Sequence, residues 1–132
     1  MSDELVTTDT DLSAFTVDQI VERMPEIHRA KLRERIDKAV ASDKKIRILC
    51  PGVFDMFHSG HAMLLEQIKK MLPNVELVAG ICRDADFLIN KGIMVMNEVE
   101  RTLAVKSCRW VDEVCAENPW VLTVDFLEHI DC

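Results

Sequence analysis

Val-Phe-Asp-Met-Phe-His-Ser-Gly-His, residues 53–61, lies between a short apolar run, 46–50, and an amphipathic stretch, 62–72. This order predicts a β-strand, then a loop that contains glycine, then an α-helix. Such a loop directs backbone N–H groups and the positive end of the helix dipole towards an anion. His58 and His61 flank the predicted helix start, and an imidazole can donate hydrogen bonds to phosphate oxygens. The segment therefore predicts a binding site for nucleotide phosphates.

The bulk composition limits the class of protein. A length of 132 residues suits one domain, and a net charge of -7 argues against nucleic acid as the main partner. The five cysteines form no Cys-x-x-Cys pair, and the acidic N-terminus lacks an apolar signal region. No stretch approaches the roughly 18 apolar residues of a membrane span. We therefore expect a soluble protein of the cytoplasm, with the nucleus as the alternative.

The N-terminal third predicts a helical extension. Residues 1–15 are polar, which predicts disorder, and Thr16 is placed to cap a helix from Val17 with Gln19 completing a capping box. A second helical pattern follows Pro25. Residues 28–45 carry seven basic and three acidic side chains. An ordinary solvated helix explains them better than a membrane or nuclear-targeting segment, because the apolar face lacks Phe and Trp.

The remainder alternates between predicted strands and helices. The strands are predicted at 46–50, 75–82 and 111–115, and the helices at 60–72, 97–108 and 123–129. Asn97 is predicted to cap the second of these helices. Strands that alternate with helices of this length predict βαβ units and a parallel sheet in an α/β fold.

The segment 54–61 resembles the His-x-Gly-His signature of the cytidylyltransferase family, within the nucleotidyltransferase superfamily. Further motifs follow in the order of that family, at 78–84, 90–92, 95–101, 109–114 and 118–120. The resemblance extends over residues 46–131 and is strongest to the choline-phosphate cytidylyltransferases. It implies transfer of a cytidylyl group from CTP to phosphocholine, giving CDP-choline and pyrophosphate. Mg²⁺ is expected on the triphosphate, and the product leads towards phosphatidylcholine.

The resemblance also implies a Rossmann-like sheet with strand order 3-2-1-4-5. We expect residues 46–132 to supply the 3-2-1 half as a partial catalytic domain, with residues 1–45 as its extension. Strands 4 and 5 and the later family motifs are absent from this sequence, so we expect an unpaired edge on strand 1. The alternative to an enzyme is a truncated, non-catalytic paralogue that binds nucleotide or pairs with a complete subunit.

The resemblance assigns a nucleotide site and three catalytic side chains. His61 is expected to stabilise the transition state, with His58 beside it and Lys91 bridging the two reacting phosphates as a point charge. His58 has an alternative role as a loop residue that binds backbone, and Lys91 as an exposed loop lysine. A two-histidine metal site is disfavoured, because no third ligand is near in sequence. The implied CTP-binding residues are Val53, Phe54, Asp55, Met56, Phe57, His58, Ser59, Gly60, His61, Lys91 and Arg101.

Trp120 is the predicted contact for the choline group, together with Lys91 at the phosphate. A quaternary ammonium binds aromatic faces by cation–π attraction. Phosphoethanolamine and glycerol 3-phosphate are the alternative acceptors, and core packing is the alternative role of the tryptophan. Pro51 stands where the family usually carries Asp, which removes both a carboxylate and a backbone N–H from the loop.

A dimer contact is implied by the segment Arg109, Trp110, Val111 and Asp112. Its mixture of charged and aromatic side chains suits an isologous interface. We expect either a homodimer or a heterodimer with a full-length relative.

Arg101, named above as a CTP-binding residue, has a surface ion pair as its alternative role.

Overall fold

The computed structural model describes residues 16–132, so the disorder predicted for residues 1–15 lies outside the described part of the chain. Helices and strands alternate from residue 46 onwards, as expected for an α/β protein. In chain order the elements are α1 (Val17–Glu22), α2 (Glu26–Ala41), β1 (Ile46–Gly52), α3 (Ser59–Met71), β2 (Val75–Cys82), α4 (Asp84–Asn90), α5 (Glu98–Lys106), β3 (Glu113–Asn118) and α6 (Val124–His129).

Within the described residues, the strands form one parallel sheet in the spatial order β1-β2-β3. Ile46 pairs with Val75 at the start of β1, and Val78 pairs with Glu113 at the start of β3. This confirms the predicted parallel 3-2-1 arrangement. Among residues 16–132, β1 pairs with β2 alone, so its other edge has no strand beside it.

The core lies on both faces of the central strand. Seven of the eight residues of β2 are buried, which accounts for its nearly continuous apolar sequence. Leu65 of α3, Leu77 of β2 and Val105 of α5 are fully buried. Each fully buried aliphatic side chain contributes about 1.5–3 kcal/mol to folding, so this packing fixes the helices against the sheet.

The N-terminal helices follow the predicted signals. Thr16 accepts a hydrogen bond from the backbone of Gln19, whose side chain binds the backbone of Thr16, so the capping box is confirmed. Ile36 of α2 is buried in the same core cluster as the sheet. No helix of residues 16–132 has the length and apolar character needed to cross a membrane.

One prediction about the elements was wrong, and one helix was not predicted. The third strand begins at Glu113 rather than at residue 111, because the chain first turns with a hydrogen bond from Val111 N to Cys108 O. The helix α4 was not predicted at all, although Asp84 and Asp86 in its first turn favour the positive end of a helix dipole.

Arg47 joins the amino ends of the three strands. Its Nη1 lies 3.0 Å from a carboxylate oxygen of Glu76 on β2 and 2.9 Å from one of Glu113 on β3. Its Nε and Nη2 donate to the carbonyls of Asp131 and Ile130 after α6. These contacts fix the amino ends of the sheet, and the loops that carry the site residues lie at the opposite ends.

Candidate functional site at the carboxyl ends of the strands

The three parallel strands end side by side at Gly52, Cys82 and Asn118. In open α/β sheets, ligands bind beyond the carboxyl ends of the strands. The segment 53–58 leaves β1 here and enters α3, so the sequence motif lies at the edge of the sheet where this rule places a ligand.

Two imidazoles cap the N-terminus of α3. Nδ1 of His58 accepts a hydrogen bond from the backbone N–H of Gly60 at 3.0 Å. Nδ1 of His61 accepts one from the backbone N–H of His58 at 3.2 Å. Together they form a capping box in which histidines take the place of the usual Ser and Glu side chains. The sequence alternative for His58, a bond to backbone, is therefore present in the structure.

The capping box determines the tautomer of both rings. A neutral imidazole carries one proton, and the nitrogen that accepts a hydrogen bond cannot be the one that carries it. Since both Nδ1 atoms accept, both protons reside on Nε2. His58 and His61 therefore present N–H donors at Nε2 while still neutral, and donors of this kind can bind phosphate oxygens.

His61 is held in place by neighbouring rings. Its ring stacks on Phe57 at a centroid distance of 5.4 Å and meets the edge of Phe54 at 5.6 Å. The His58 ring lies 4.1 Å away. Partial burial, followed by the charge that His58 gains on protonation, lowers the pKa of His61 from 6.5. The ring is therefore neutral at pH 7 and fixed in one orientation.

Gly60 makes the position of the His58 ring available. A Cβ at position 60 would lie 2.7 Å from Cε1 and 3.0 Å from Nδ1 of His58. Any side chain here would push the imidazole out of the capping position. The group that approaches Gly60 closely in the structure is therefore the ring of His58.

The other residues of the motif take several positions. Phe54 is buried and Met56 is exposed. Both residues have positive φ angles, 55° and 50° respectively. Ser59 is exposed as the first residue of α3. Contact of these residues with CTP stays a prediction.

Asp55 connects the motif to the segment before α5. Its carboxylate accepts hydrogen bonds from the backbone N–H groups of Val95 at 2.8 Å and Met96 at 2.9 Å. These two donors lower the pKa of Asp55, so the carboxylate stays ionised. Both oxygens are engaged within the protein, which gives Asp55 a role in positioning the loop.

Arg101 is a fully buried cation beneath the site. Its guanidinium donates to the carbonyls of Val53, Met96 and Cys82 at 2.9, 3.2 and 2.8 Å. It also binds the carboxylate of Asp84 at 2.7 Å. The sequence alternative of a surface ion pair was wrong, because the side chain is buried. One N–H on Nη1 remains after these bonds, and contact with CTP stays a prediction.

Within residues 16–132, Lys91 makes no hydrogen bond or ring contact with His58 or His61. It ends α4, where its backbone N–H donates to Phe87 O at 2.7 Å, and its side chain is exposed. Gly92 follows with a φ of 102°, a conformation that glycine adopts readily. The structure therefore places Lys91 on an exposed turn, and its contact with the phosphates stays a prediction.

Trp120 lines a cleft of about 190 Å³ between the ends of β1 and β3. Trp120 is 38% exposed, so it is not a core residue. The lining is uncharged and consists of Pro51, Gly52, Val53, Cys82, Asn118, Pro119 and Trp120. Core packing of Trp120, the sequence alternative, was therefore wrong, and its role in binding a head group stays a prediction.

The predicted dimer segment is engaged within its own chain. Trp110 and Val111 pack against the core cluster. The Lys70 ammonium and the Arg109 guanidinium lie 4.9 and 4.4 Å from the centre of the Trp110 ring. Asp112 accepts hydrogen bonds from Lys69 Nζ and from the backbone N–H of Leu77. Self-association through these residues stays a prediction.

The described residues do not supply a magnesium site of their own. Residues 16–132 contain no group of three or more His, Cys, Asp or Glu side chains arranged to hold a metal. Magnesium prefers oxygen ligands, but Asp55 beside the histidines has both oxygens engaged by backbone N–H groups. The expected Mg²⁺ on the triphosphate stays a prediction.

Sequence reasoning did not single out Asn118, Asp84 or Gly80 as site residues. Asp84 holds the buried guanidinium, and Asn118 lies in the cleft. Asp84 and Asp86 could have predicted the start of α4, and with it the position of Asp84, because acidic residues favour the first turn of a helix. Asn118 carries no such signal, because only the pairing of β2 with β3 brings it beside Gly80 and Cys82.

The parallel order β1-β2-β3 of the described residues, with a capped helix following β1, defines an α/β domain of the Rossmann-like nucleotide-binding class. A family model described as Cytidylyltransferase-like matches residues 49–132. The chain belongs to this family, which confirms the resemblance drawn from the sequence.

Named relatives agree with this membership. The chain is 47% identical over 88 residues to choline-phosphate cytidylyltransferase 2 of Arabidopsis thaliana, covering 67% of this chain and 29% of that protein. It is 45% identical over 97 residues to choline-phosphate cytidylyltransferase A of Homo sapiens, covering 73% and 26%. It is 42% identical over 89 residues to ethanolamine-phosphate cytidylyltransferase of Dictyostelium discoideum, covering 67% and 24%. The chain therefore spans about a quarter of the length of the curated relatives that it matches.

Proposed function

We propose that this chain transfers the cytidylyl group of CTP to phosphocholine, giving CDP-choline and pyrophosphate. The observation that carries the proposal is the pair of fixed Nε2–H donors on His58 and His61 at the start of α3. Relatives that are named choline-phosphate cytidylyltransferases support the same reaction.

The chemistry asks the protein to align two anions. An oxygen of the phosphocholine phosphate attacks the α-phosphorus of CTP, a new P–O bond forms, and the bond to the β-phosphate oxygen breaks to release pyrophosphate. Charge builds on the oxygens around the α-phosphorus and on the leaving group. Fixed donors directed at these oxygens lower the barrier because they need no reorganisation during the reaction.

His61 is the side chain best placed for this stabilisation. It is neutral at pH 7 and held between Phe57 and Phe54, so its Nε2–H donor is already oriented before CTP binds. His58 is more exposed and supplies the second donor. Lys91, on an exposed turn, is proposed to move onto the phosphates as a point charge.

The acceptor is proposed to bind with its ammonium group against Trp120. Trp120 lines the cleft together with Gly52 and Val53, at the beginning of the loop that carries the histidines. Cation–π attraction stabilises a desolvated ammonium by roughly 2 kcal/mol. Phosphoethanolamine carries the same charge and is the alternative acceptor. Mg²⁺ would accompany the triphosphate.

The proposal is tested by incubating the purified chain with CTP, Mg²⁺ and phosphocholine and measuring CDP-choline by mass spectrometry. Wild type is expected to form product, and His61→Ala to lose at least a hundredfold in rate, because it removes one fixed donor. His129→Ala is the matched control, since that histidine is exposed on α6. Equal rates for His61→Ala and His129→Ala would contradict the role of His61.

Nucleotide binding without turnover is the second candidate function. One observation favours it: the lining of the cleft beside Trp120 contains no carboxylate. CTP binding without any CDP-choline, restored to turnover by adding a complete relative, would favour this candidate over the enzyme.

A further inference from the structure

A groove of about 790 Å³ lies along the outer edge of β1. Residues 46–49 of β1 all line it, whereas no residue of β2 or β3 does. Consecutive residues of a strand point to opposite faces of a sheet, so a groove that reaches all four lies beside the strand. The helices α1, α2, α3 and α6 each contribute to the remaining wall.

The wall of the groove is mainly apolar and partly exposed. Ile20 of α1 and Leu32 of α2 are half-buried, and both pack against the core cluster. Met24 and Leu122 also line the groove, and each is 38% exposed. Apolar surface in contact with water is unfavourable, so covering this wall with another apolar group stabilises the structure.

Cations surround the apolar wall. Five Lys and Arg side chains line the groove, against one carboxylate, that of Asp131. Arg47 and Lys38 are already paired with glutamates of this chain. Lys44 and Lys45 are exposed and form no salt bridge within residues 16–132. The groove therefore favours an occupant that is both apolar and acidic.

The segment 1–15 of the chain has this composition. It contains no basic residue and several apolar ones, and its acidic residues are Asp3, Glu4, Asp9 and Asp11. A second copy of the folded chain fits less well. An isologous contact places the same surface on both sides, so the lysines of one copy would face those of the other.

The segment joins the described structure close to the groove. It precedes Thr16, whose carbonyl accepts a hydrogen bond from the backbone N–H of Ile20 at 3.1 Å. Ile20 lines the groove, so the point of attachment is one helical turn away. An extended chain of this length reaches about 50 Å, whereas four residues of a strand span about 13 Å. Attachment at this point gives the segment a high effective concentration at the groove.

We propose that residues 1–15 bind in this groove of their own chain, with their carboxylates at Lys44 and Lys45 and their apolar side chains on α1 and α2. The disorder predicted from composition applies to the segment on its own, because contact with the groove offsets the entropy lost on ordering. The bound segment covers the unpaired edge of β1 and so disfavours its association with another chain. This contact requires neither nucleotide nor acceptor.

Hydrogen exchange of the full chain, measured by mass spectrometry without nucleotide, tests the proposal. The matched variant combines Asp3→Asn, Glu4→Gln, Asp9→Asn and Asp11→Asn, which removes the charge and keeps the length. Backbone amides on the outer edge of β1 are expected to exchange about tenfold faster in this variant, because the covering segment is released. Exchange in α5 is expected to stay unchanged, since no residue of that helix lines the groove.

Charge reversal identifies the lysines. Lys44→Glu combined with Lys45→Glu is expected to release the segment, and adding Asp9→Lys and Asp11→Lys is expected to restore slow exchange. Lys106→Glu is the control, because Lys106 is exposed on α5 outside the groove. Circular dichroism verifies that each variant is folded.

Cross-linking of wild type with a carbodiimide needs no substitution. It is expected to join carboxylates of residues 1–15 to Lys44 or Lys45 and not to Lys106. Three results would overturn the proposal: equal exchange in wild type and the amide variant, no such cross-link, or slow exchange that depends on protein concentration. The last result would assign the groove to a second copy of the chain.

Discussion

The histidine pair shows how single residues serve two purposes at once. Each imidazole uses Nδ1 to cap α3 and leaves Nε2–H for a ligand. An aspartate would cap the helix equally well but, as an ionised carboxylate, would present no donor. Histidine at positions 58 and 61 therefore stabilises the helix start and, under the proposed function, also supplies the donors to phosphate.

The first prediction concerns protonation of His61. Its pKa is lowered from 6.5, by burial first and by His58 second, and protonation would also place a proton on the nitrogen that accepts from His58 N–H. Below about pH 6.5 the unfolded chain takes up a proton that the folded chain excludes, so unfolding free energy falls until the folded pKa is passed. Histidine NMR titration is expected to give His61 a pKa below 6.5 and an Nε2–H tautomer.

The contribution to stability is isolated by repeating the pH-dependent unfolding with His61→Ala. That variant is expected to lose less stability on acidification than wild type. A measured pKa of 6.5 or higher for His61 would contradict the packing described here.

The second prediction concerns Arg101, whose guanidinium spans three carbonyls and one carboxylate. A lysine keeps the charge but has a single nitrogen that cannot reach all four oxygens. Arg101→Lys is expected to lower the free energy of unfolding by about 2–4 kcal/mol, since buried acceptors lose their donors. Urea denaturation measures this change.

Arg83→Lys is the control for Arg101→Lys. Arg83 is exposed and binds Asp86 within the same helix start, so its replacement is expected to change stability by less than about 0.5 kcal/mol. Equal changes in the free energy of unfolding for the two substitutions would contradict a stabilising role of the buried guanidinium of Arg101.

At the scale of single elements, α5 and the segment before it hold the floor of the site. Asn97 caps α5 by accepting from Glu100 N at 2.9 Å, and the Glu100 carboxylate accepts from Asn97 N at 3.0 Å. In the segment before α5, the backbone N–H groups of Val95 and Met96 donate hydrogen bonds to the carboxylate of Asp55. The cap therefore positions the segment that Asp55 contacts, as well as the helix.

The third prediction follows from this capping box. Asn97→Ala is expected to lower the free energy of unfolding by about 1 kcal/mol, because the first turn of α5 loses its side-chain acceptor. Asn97→Asp keeps an acceptor and is expected to stay close to wild type. Thermal unfolding of the two variants provides the measurement, and a loss of similar size in both would contradict capping as the cause.

At the scale of the whole molecule, the outer edge of β1 and the segment 109–112 are the two surfaces relevant to association. The edge has no strand beside it among residues 16–132, and an unpaired edge favours association with another chain. Asp112 is occupied by Lys69 and Leu77, whereas Arg109 lies exposed over Trp110.

The fourth prediction separates these surfaces. Sedimentation velocity over a range of concentrations is expected to show a dimer that Arg109→Glu dissociates, if the segment 109–112 forms the contact. Asp112→Asn is expected to lower the melting temperature, because the side chain links α3 to β2. A dimer that persists in Arg109→Glu would contradict a contact through the segment 109–112 and favour one through the edge of β1.

Much of the fold was predictable because its signals are local. The strand, loop and helix around residues 46–72 follow from apolar periodicity, and the capping boxes at Thr16 and Asn97 follow from residue spacing. The start of β3 and the existence of α4 were not predicted. In the first case a turn at Cys108 delays the strand, and in the second a short helix was hidden in a segment taken for a loop.

The sequence by itself determined the βα motif, the parallel class of sheet and the position of the two histidines at the start of α3, because these depend on neighbours along the chain. Only the tertiary structure decided that Arg101 is a buried support, that Trp120 lines a cleft, and that Asn118 keeps an unpaired oxygen beside Gly80. Those roles arise between strands that are far apart in sequence. A side chain's burial and its hydrogen-bond partners there are fixed by packing, which residue spacing does not encode.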